Sequence, residues 1–398
     1  MTNISRENYL HRIRPFYEKQ LIKVLSGQRR VGKSFLLKQI RDEIKQKHQN
    51  ANIIYIDKEK HEFDEIVDYK GLHDFVMKKS VSSMNYLFID EIQEISDFEK
   101  ALRSLLSEGN FDIYVTGSNS QMLSGELATF LSGRQIEIRV HSLSYLEFLE
   151  FHTLQNDKPS LDKYLKFGGL PYLKHLPLEE EIAFDYLKNI LATILFRDVV
   201  HRYQIRDVPF LDNLVRFLAD NTGSLFSATK ISDYLKSQKA SKTVSVIINY
   251  IKYLENAYII SNVKRKDAKG KKIFESGDKF YFEDLGLRNV VYEYKPGDIN
   301  KIIENAVFNH LRIKNYNVHI GKLENREIDF IAEKNNELIY IQVAYLLSDE
   351  NTQEREFGNL DLIKDHYPKY VISMDELPVK VSYKGIKHLS LKEFLSEF

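Results

Sequence analysis

Residues Gly27-Gln28-Arg29-Arg30-Val31-Gly32-Lys33-Ser34 match the pattern G-x-x-x-x-G-K-[ST]. The glycines let the backbone bend so that successive N–H groups face phosphate oxygens. Lys33 then reaches the β- and γ-phosphates, and Ser34 offers its hydroxyl to magnesium. The flanks carry the reading beyond a chance surface turn. Leu21–Leu25 before the loop is a strand-like apolar run, and Phe35–Lys45 after it has helical periodicity. The first turn of that helix places its positive dipole end at the phosphates. Gly27, Gln28, Arg29, Arg30, Val31, Gly32, Lys33, Ser34 and Phe35 are therefore expected to bind ATP with Mg²⁺, and Lys33 also to act in catalysis.

About 55 residues on, Tyr86-Leu87-Phe88-Ile89 forms an apolar run that ends in Asp90-Glu91. At the carboxyl end of a buried strand, Asp90 is the expected magnesium ligand beside Ser34. Glu91 is placed to orient and deprotonate the attacking water. Acids often end strands, and it is the pairing with the glycine loop that points to chemistry. The next strand ends in Thr116-Gly117-Ser118-Asn119. Asn119 or Ser118 is the candidate to touch the γ-phosphate or the water, against an ordinary turn. Arg134, before the fifth strand, is a candidate arginine finger on a neighbouring subunit's nucleotide or a solvated surface residue. Arg29 and Arg30 are further candidates to sense the phosphates or a partner.

The strand candidates Leu21–Leu25, Asn52–Ile56, Tyr86–Asp90, Ile113–Thr116 and Gln135–Val140 alternate with helical stretches. That alternation predicts a doubly wound parallel sheet, which binds ligands at the carboxyl ends of its strands. At 398 residues the chain is expected to hold more than one domain. The 57 basic and 57 acidic residues balance, so any nucleic-acid affinity must come from a local patch. No apolar run approaches the roughly 18 residues of a membrane span, and the first residues do not read as a secretory signal. With no cysteine, disulfides and thiolate metal sites are excluded, and a cytoplasmic location is expected.

The segments LIKVLSGQRRVGKSFLL, YLFIDEIQEI, VTGSNSQML, LSGR and SLSYLEF closely resemble prokaryotic AAA-type ATPases of the clade related to STAND signalling ATPases. The resemblance implies strand order 5-1-4-3-2, a helical lid and Arg134 as the family-like arginine. It also implies a winged helix and a C-terminal domain of unknown function with a restriction-endonuclease-like fold. The expected organisation is an α/β AAA-type core at 1–141, a lid at 142–206, a winged helix at 207–285 and a PD-(D/E)xK-like α/β domain at 286–398.

In the third segment, helices near 208–220, 227–236 and 241–254 precede strands Tyr258–Lys264 and Lys279–Phe282. Val246, Ile247, Tyr250, Ile251 and Leu254 form an apolar stripe. That leaves Lys242, Thr243, Ser245 and Asn249 facing outward, as on a recognition helix. Lys264, Arg265, Lys266, Lys269, Lys271 and Lys272 are expected to meet phosphates of duplex DNA from the wing. The competing reading is a protein-docking winged helix.

The last segment carries Glu304 on a helix and Asp329 on a strand, but Gln342 and Ala344 stand where nuclease folds place an acid and a lysine. A degenerate scaffold is favoured, because a metal nuclease needs clustered carboxylates to hold its ion. Lys322 or Lys334 could migrate into the missing role. The expected function is an ATP-hydrolysing switch, with a homo-oligomer as a candidate assembly, coupled to DNA or a protein through its C-terminal half. The alternative is a regulatory ATP-binding protein with negligible turnover.

Overall fold

The computed structural model describes residues 4–120, 133–226, 228–237, 242–268, 277–292, 294–324, 326–376 and 382–398. The chain divides into two compact units. One comprises Met1–His141 with Asn256–Tyr258, and the other Ser142–Glu255 with Ile259–Phe398.

In the first unit, helix α1 (Glu7–Ile13) precedes strand β1 (Ile22–Ser26) and helix α2 (Lys33–Lys47). Strand β2 (Asn52–Asp57), helix α3 (Tyr69–Lys79), strand β3 (Asn85–Asp90), helix α4 (Phe98–Ser107), strand β4 (Phe111–Gly117) and strand β5 (Gln135–Arg139) follow. The strands run in the order β2-β3-β4-β1-β5, with every neighbouring pair parallel. This is the order that the sequence resemblance implies. All of β3 and β4 is buried, as expected of central strands covered on both faces, whose sequences read as continuous apolar runs. Phe88 and Tyr114 stack across the two strands at 4.9 Å.

The second unit begins with helices α5 (Tyr145–His152), α6 (Lys158–Phe167) and α7 (Glu180–Thr193), and a π-helical stretch, Ile194–His201, extends α7. The breaker at Gly168 has a long-range cause. Its φ is +74°, and a Cβ there would stand 2.4 Å from the Asp284 carboxylate and from the Gly286 nitrogen. Asp284 also accepts the Gly169 N–H at 2.9 Å.

Helices α8 (Val208–Asp220), α9 (Ala228–Ser237) and α10 (Val244–Asn256) come next, with strands β6 (Leu225–Phe226), β7 (Ile260–Val263), β8 (Arg265–Asp267) and β9 (Asp278–Phe282). β6, β9 and β7 make a three-stranded antiparallel sheet. β8 instead pairs in parallel with β10 (Asn317–Leu323), at the edge of a seven-stranded sheet.

Helices α11 (Leu285–Val291) and α12 (Ile299–Ile313) lead into that sheet, which contains β11 (Arg326–Lys334), β12 (Glu337–Val343), β13 (Lys369–Ser373), β14 (Ser382–Tyr383) and β15 (Ile386–Ser390). Helices α13 (Glu350–Asp361) and α14 (Leu391–Glu397) complete the fold. Among the described residues no helix is long and apolar enough to cross a membrane.

Candidate nucleotide site

β1 ends at Ser26, and the glycine loop turns the chain into α2 at Lys33. Gly27 adopts φ +144°, and a Cβ there would lie 2.1 Å from the Val140 carbonyl, so only glycine fits. Gly32, at φ 97°, makes the second left-handed turn. Lys33 is 4% exposed, and its ammonium donates to the carbonyls of Gly27 (3.0 Å) and Gln28 (2.9 Å). It is thus held over the concave face of its own loop. Both amide atoms of Gln28 are buried with no hydrogen-bond partner among the described residues. Val31 is buried, Arg30 is exposed at φ 72°, and the Phe35 ring is 63% exposed, which leaves only its backbone for a phosphate. A cationic glycine loop, with a hydroxyl and a carboxylate at its rim, suits a magnesium-bound triphosphate.

β3 delivers the carboxylates. The Thr116 hydroxyl, from neighbouring β4, donates to Asp90 Oδ1 at 2.5 Å and accepts the Glu91 N–H at 2.9 Å. Asp90 also shares a hydrogen bond with Ser34; burial outweighs these bonds and raises its carboxyl above the usual range. A cation brought to Ser34 and Asp90 would reverse that shift. Glu91 occupies the left-handed region at φ 55°, which turns its side chain out of line with the strand. Its carboxylate accepts from Ser118 Oγ at 3.1 Å and from the Gln93 amide. Burial alone would raise its pKa, but the charges of Lys33 and Arg29, with those two hydrogen bonds, hold it below the ordinary range. Glu91 is therefore a buried carboxylate kept ionised.

Of the two candidates ending β4, Ser118 touches Glu91, while Asn119 is equally buried beside it. Arg29, 5% exposed, pairs with Glu59 at 3.4 Å. Arg134 is exposed, and its carbonyl accepts the Ile22 N–H at 2.9 Å. That register puts it at the amino ends of the strands, roughly 20 Å of extended chain from the loop. The structure therefore does not bring Arg134 to its own chain's site.

Three contributors were not foreseen. Thr116 and Gln93 carry no sequence signal beyond their position after apolar strands. Arg6, 3% exposed, donates through Nη1 to the carbonyls of Val31 (2.9 Å) and His141 (3.0 Å).

Two expectations for the second unit need correction. Lys266 lies in β8, is buried and pairs with Glu333, so it is not a free wing lysine. Arg265 is half-buried in the same strand, while Lys264 is exposed. Lys269, Lys271 and Lys272 lie outside the described residues. In the last segment, Glu304 and Asp329 do come together, with the Gln342 amide oxygen 3.4 Å from the Asp329 N–H. The lysine that reaches them is neither Lys322 nor Lys334 but Lys279, from β9.

Five parallel strands in this order, with a glycine loop after β1 and an acidic pair after β3, define a P-loop AAA-type ATPase domain. A family model described as an AAA domain matches residues 19–149, and a second, described as a domain of unknown function, matches 158–297. The chain is 39% identical over 379 residues to an uncharacterised protein of Haemophilus influenzae, covering 93% of each. It is 34% identical over 377 residues to the uncharacterised protein MJ1544 of Methanocaldococcus jannaschii, covering 90% of this chain and 81% of that one. The chain belongs to this family of AAA-domain proteins. Among solved structures, Cdc6p from Pyrobaculum aerophilum is similar at a TM-score of 0.31 and 11% identity, over 72% of this chain and 91% of that one. AMPPCP-bound DnaA from Aquifex aeolicus is similar at 0.28 and 16%, over 63% and 89%. Likenesses this distant carry no functional inference.

Proposed function

We propose that the chain hydrolyses ATP in a Mg²⁺-dependent reaction and works as a nucleotide-driven switch. The observation that carries this reading is Glu91, an ionised carboxylate held by Ser118 and Gln93 next to Asp90 and Lys33. A protein that only binds nucleotide has no use for a second, buried, ionised acid beside the magnesium acid. In the proposed reaction Lys33 and the loop N–H groups hold the β- and γ-phosphates. Ser34 and Asp90 hold Mg²⁺, which neutralises the charge that builds up on the phosphates. Glu91 orients the attacking water and takes its proton. Ser118 and Gln93 keep the Glu91 carboxylate aimed, and Asn119 is assigned to the γ-phosphate side. Arg134 is assigned to a neighbouring subunit's nucleotide.

The three helices α8–α10 with the sheet β6-β9-β7 support a winged-helix reading of the segment. Ile247, Ile251 and Leu254 are buried, while Ser245 and Asn249 on α10, and Thr243 just before it, are exposed. A specific observation favours protein docking over DNA there. Val244 and Ile248 are exposed on the same helix, at 38% and 51%, and Lys242 is paired with Asp207 at 2.7 Å.

Phosphate release with and without duplex DNA tests both readings. Magnesium-dependent release that Glu91→Gln abolishes is expected. No release under any condition would leave a binding protein. DNA binding that weakens steeply with salt, and weakens further when Lys264, Lys271 and Lys272 are neutralised, would favour DNA as the partner. No binding at low salt would leave protein docking.

A further inference from the structure

Lys279 is a deeply buried ammonium surrounded by acids. It stands on β9, its side chain 4% exposed, and three carboxylates converge on it. Glu304 Oε1, from α12, lies 2.9 Å from its Nζ, Glu327 Oε1 lies 2.8 Å away, and Asp329 Oδ1, on the same strand β11 as Glu327, lies 3.8 Å away. The Tyr281 hydroxyl, two residues along β9, donates to Glu304 Oε1 at 2.6 Å. Asp329 Oδ2 accepts the Val343 N–H at 2.8 Å.

The cluster is covered from another side by the turn after α8. Gly223 stands at φ +74°, and a Cβ there would come within 3.1 Å of both Glu304 oxygens. Glu304 and Asp329 are the acids at which a nuclease of this general layout would hold its metal ion. Here they are turned onto a lysine supplied by a strand of the neighbouring three-stranded sheet.

We infer that Lys279 is a built-in cation: its ammonium takes the place of a divalent ion in the Glu304–Glu327–Asp329 site, so the site excludes metal and serves as a charged lock. Three acids brought together in a buried place repel one another, and each must be neutralised by a cation or a proton. Lys279 supplies one charge from inside the chain. Burial would lower its pKa, but the three carboxylates raise it, so the ammonium stays charged. Asp329 is pushed well above the usual carboxylate range by burial and by Glu304, the Lys279 charge only partly opposing this. A tethered ammonium also fills the space in which Mg²⁺ would need oxygens near 2.1 Å. The lock fastens β9 to α12 and β11, and the turn at Gly223 covers Glu304.

The test uses nucleotide-free full-length protein, in which the P-loop lacks the phosphates that help retain its magnesium. Wild type, Lys279→Met and the double variant Lys279→Met/Glu304→Gln are compared by thermal unfolding, and Mn²⁺ binding is followed by electron paramagnetic resonance. Wild type should bind no Mn²⁺ and show no Mn²⁺-dependent change in Tm. Lys279→Met should unfold about 5–15 °C lower, because it leaves buried acids uncompensated. Millimolar Mn²⁺ should restore part of that loss, and the double variant should recover more than half of it without metal. If Lys279→Met gives no folded protein, the double variant must still fold.

A double variant no more stable than the single one would overturn the inference. So would Mn²⁺ binding by wild type that Asp329→Asn abolishes, or wild-type cleavage of plasmid with Mn²⁺ that Asp329→Ala removes.

Discussion

Glu91 reconciles two demands that normally conflict, being 5% exposed and yet ionised. Its negative charge is maintained by Lys33 and Arg29 and by hydrogen bonds from Ser118 and Gln93. The arrangement separates two variants cleanly. Glu91→Gln keeps the hydrogen bonds but cannot take a proton, so turnover should fall by about 10²–10⁴-fold with ATP affinity nearly unchanged. Lys33→Ala removes the cation that faces the phosphates and should lose nucleotide affinity as well as turnover. Isothermal titration with a non-hydrolysable ATP analogue beside steady-state phosphate release reads both. Equal loss of binding in the two variants would contradict the division of labour between these residues.

Two further features carry buried charge or potential charge, and each makes a stability prediction. Lys23 on β1 and Asp112 on β4 form a fully buried ion pair; Asp112 also accepts from Tyr114 Oη (2.8 Å) and the Glu18 N–H (2.9 Å). Lys23→Met leaves that carboxylate unpaired and should cost about 3–5 kcal/mol, while Lys23→Met/Asp112→Asn should recover most of the loss. Denaturant unfolding of the three proteins checks this, and an equal loss in both variants would show that packing rather than charge dominates.

His310 on α12 is 3% exposed, neither ring nitrogen has a hydrogen-bond partner among the described residues, and burial pushes its pKa down to about 3. A histidine whose folded pKa is depressed contributes stability that is fully present above its unfolded pKa, near 6.5. That contribution is lost as pH falls from there toward the folded value, by up to about 1.4 kcal/mol per pH unit. His310→Leu should flatten this acid limb between pH 6.5 and 4 in urea titrations. An unchanged limb would assign the acid sensitivity to other groups.

For the whole molecule, the position of Arg134 at the amino ends of the strands makes self-assembly the point to test. If Arg134 completes a neighbour's site, specific activity should rise with protein concentration. Arg134→Ala should then lower turnover by about 10³-fold or more with little change in ATP affinity, the scale on which a supplied arginine acts. Activity independent of concentration, from a chain that is monomeric in light scattering, would rule the arrangement out.

The glycine loop, the acidic pair and the five parallel strands were legible in the sequence because each is a local pattern. Glycine spacing sets where a backbone can turn back on a phosphate, and a buried strand must be written as an apolar run. Observed boundaries differ from the expected ones by one or two residues, as at β1 and β4. β8 was not legible, since Arg265-Lys266-Asp267 has neither alternation nor apolar content and becomes a strand only through pairing with β10. That pairing is also what removed Lys266 from the expected DNA-binding set. The tertiary structure alone decided which side chains meet: Thr116 with Asp90, Arg6 with Val31, and Lys279 with Glu304 and Asp329. Those partners lie between 25 and 50 residues apart in the chain. A local pattern fixes backbone conformation through short-range sterics and burial. Which charges neutralise one another depends on where packing brings the chain back on itself.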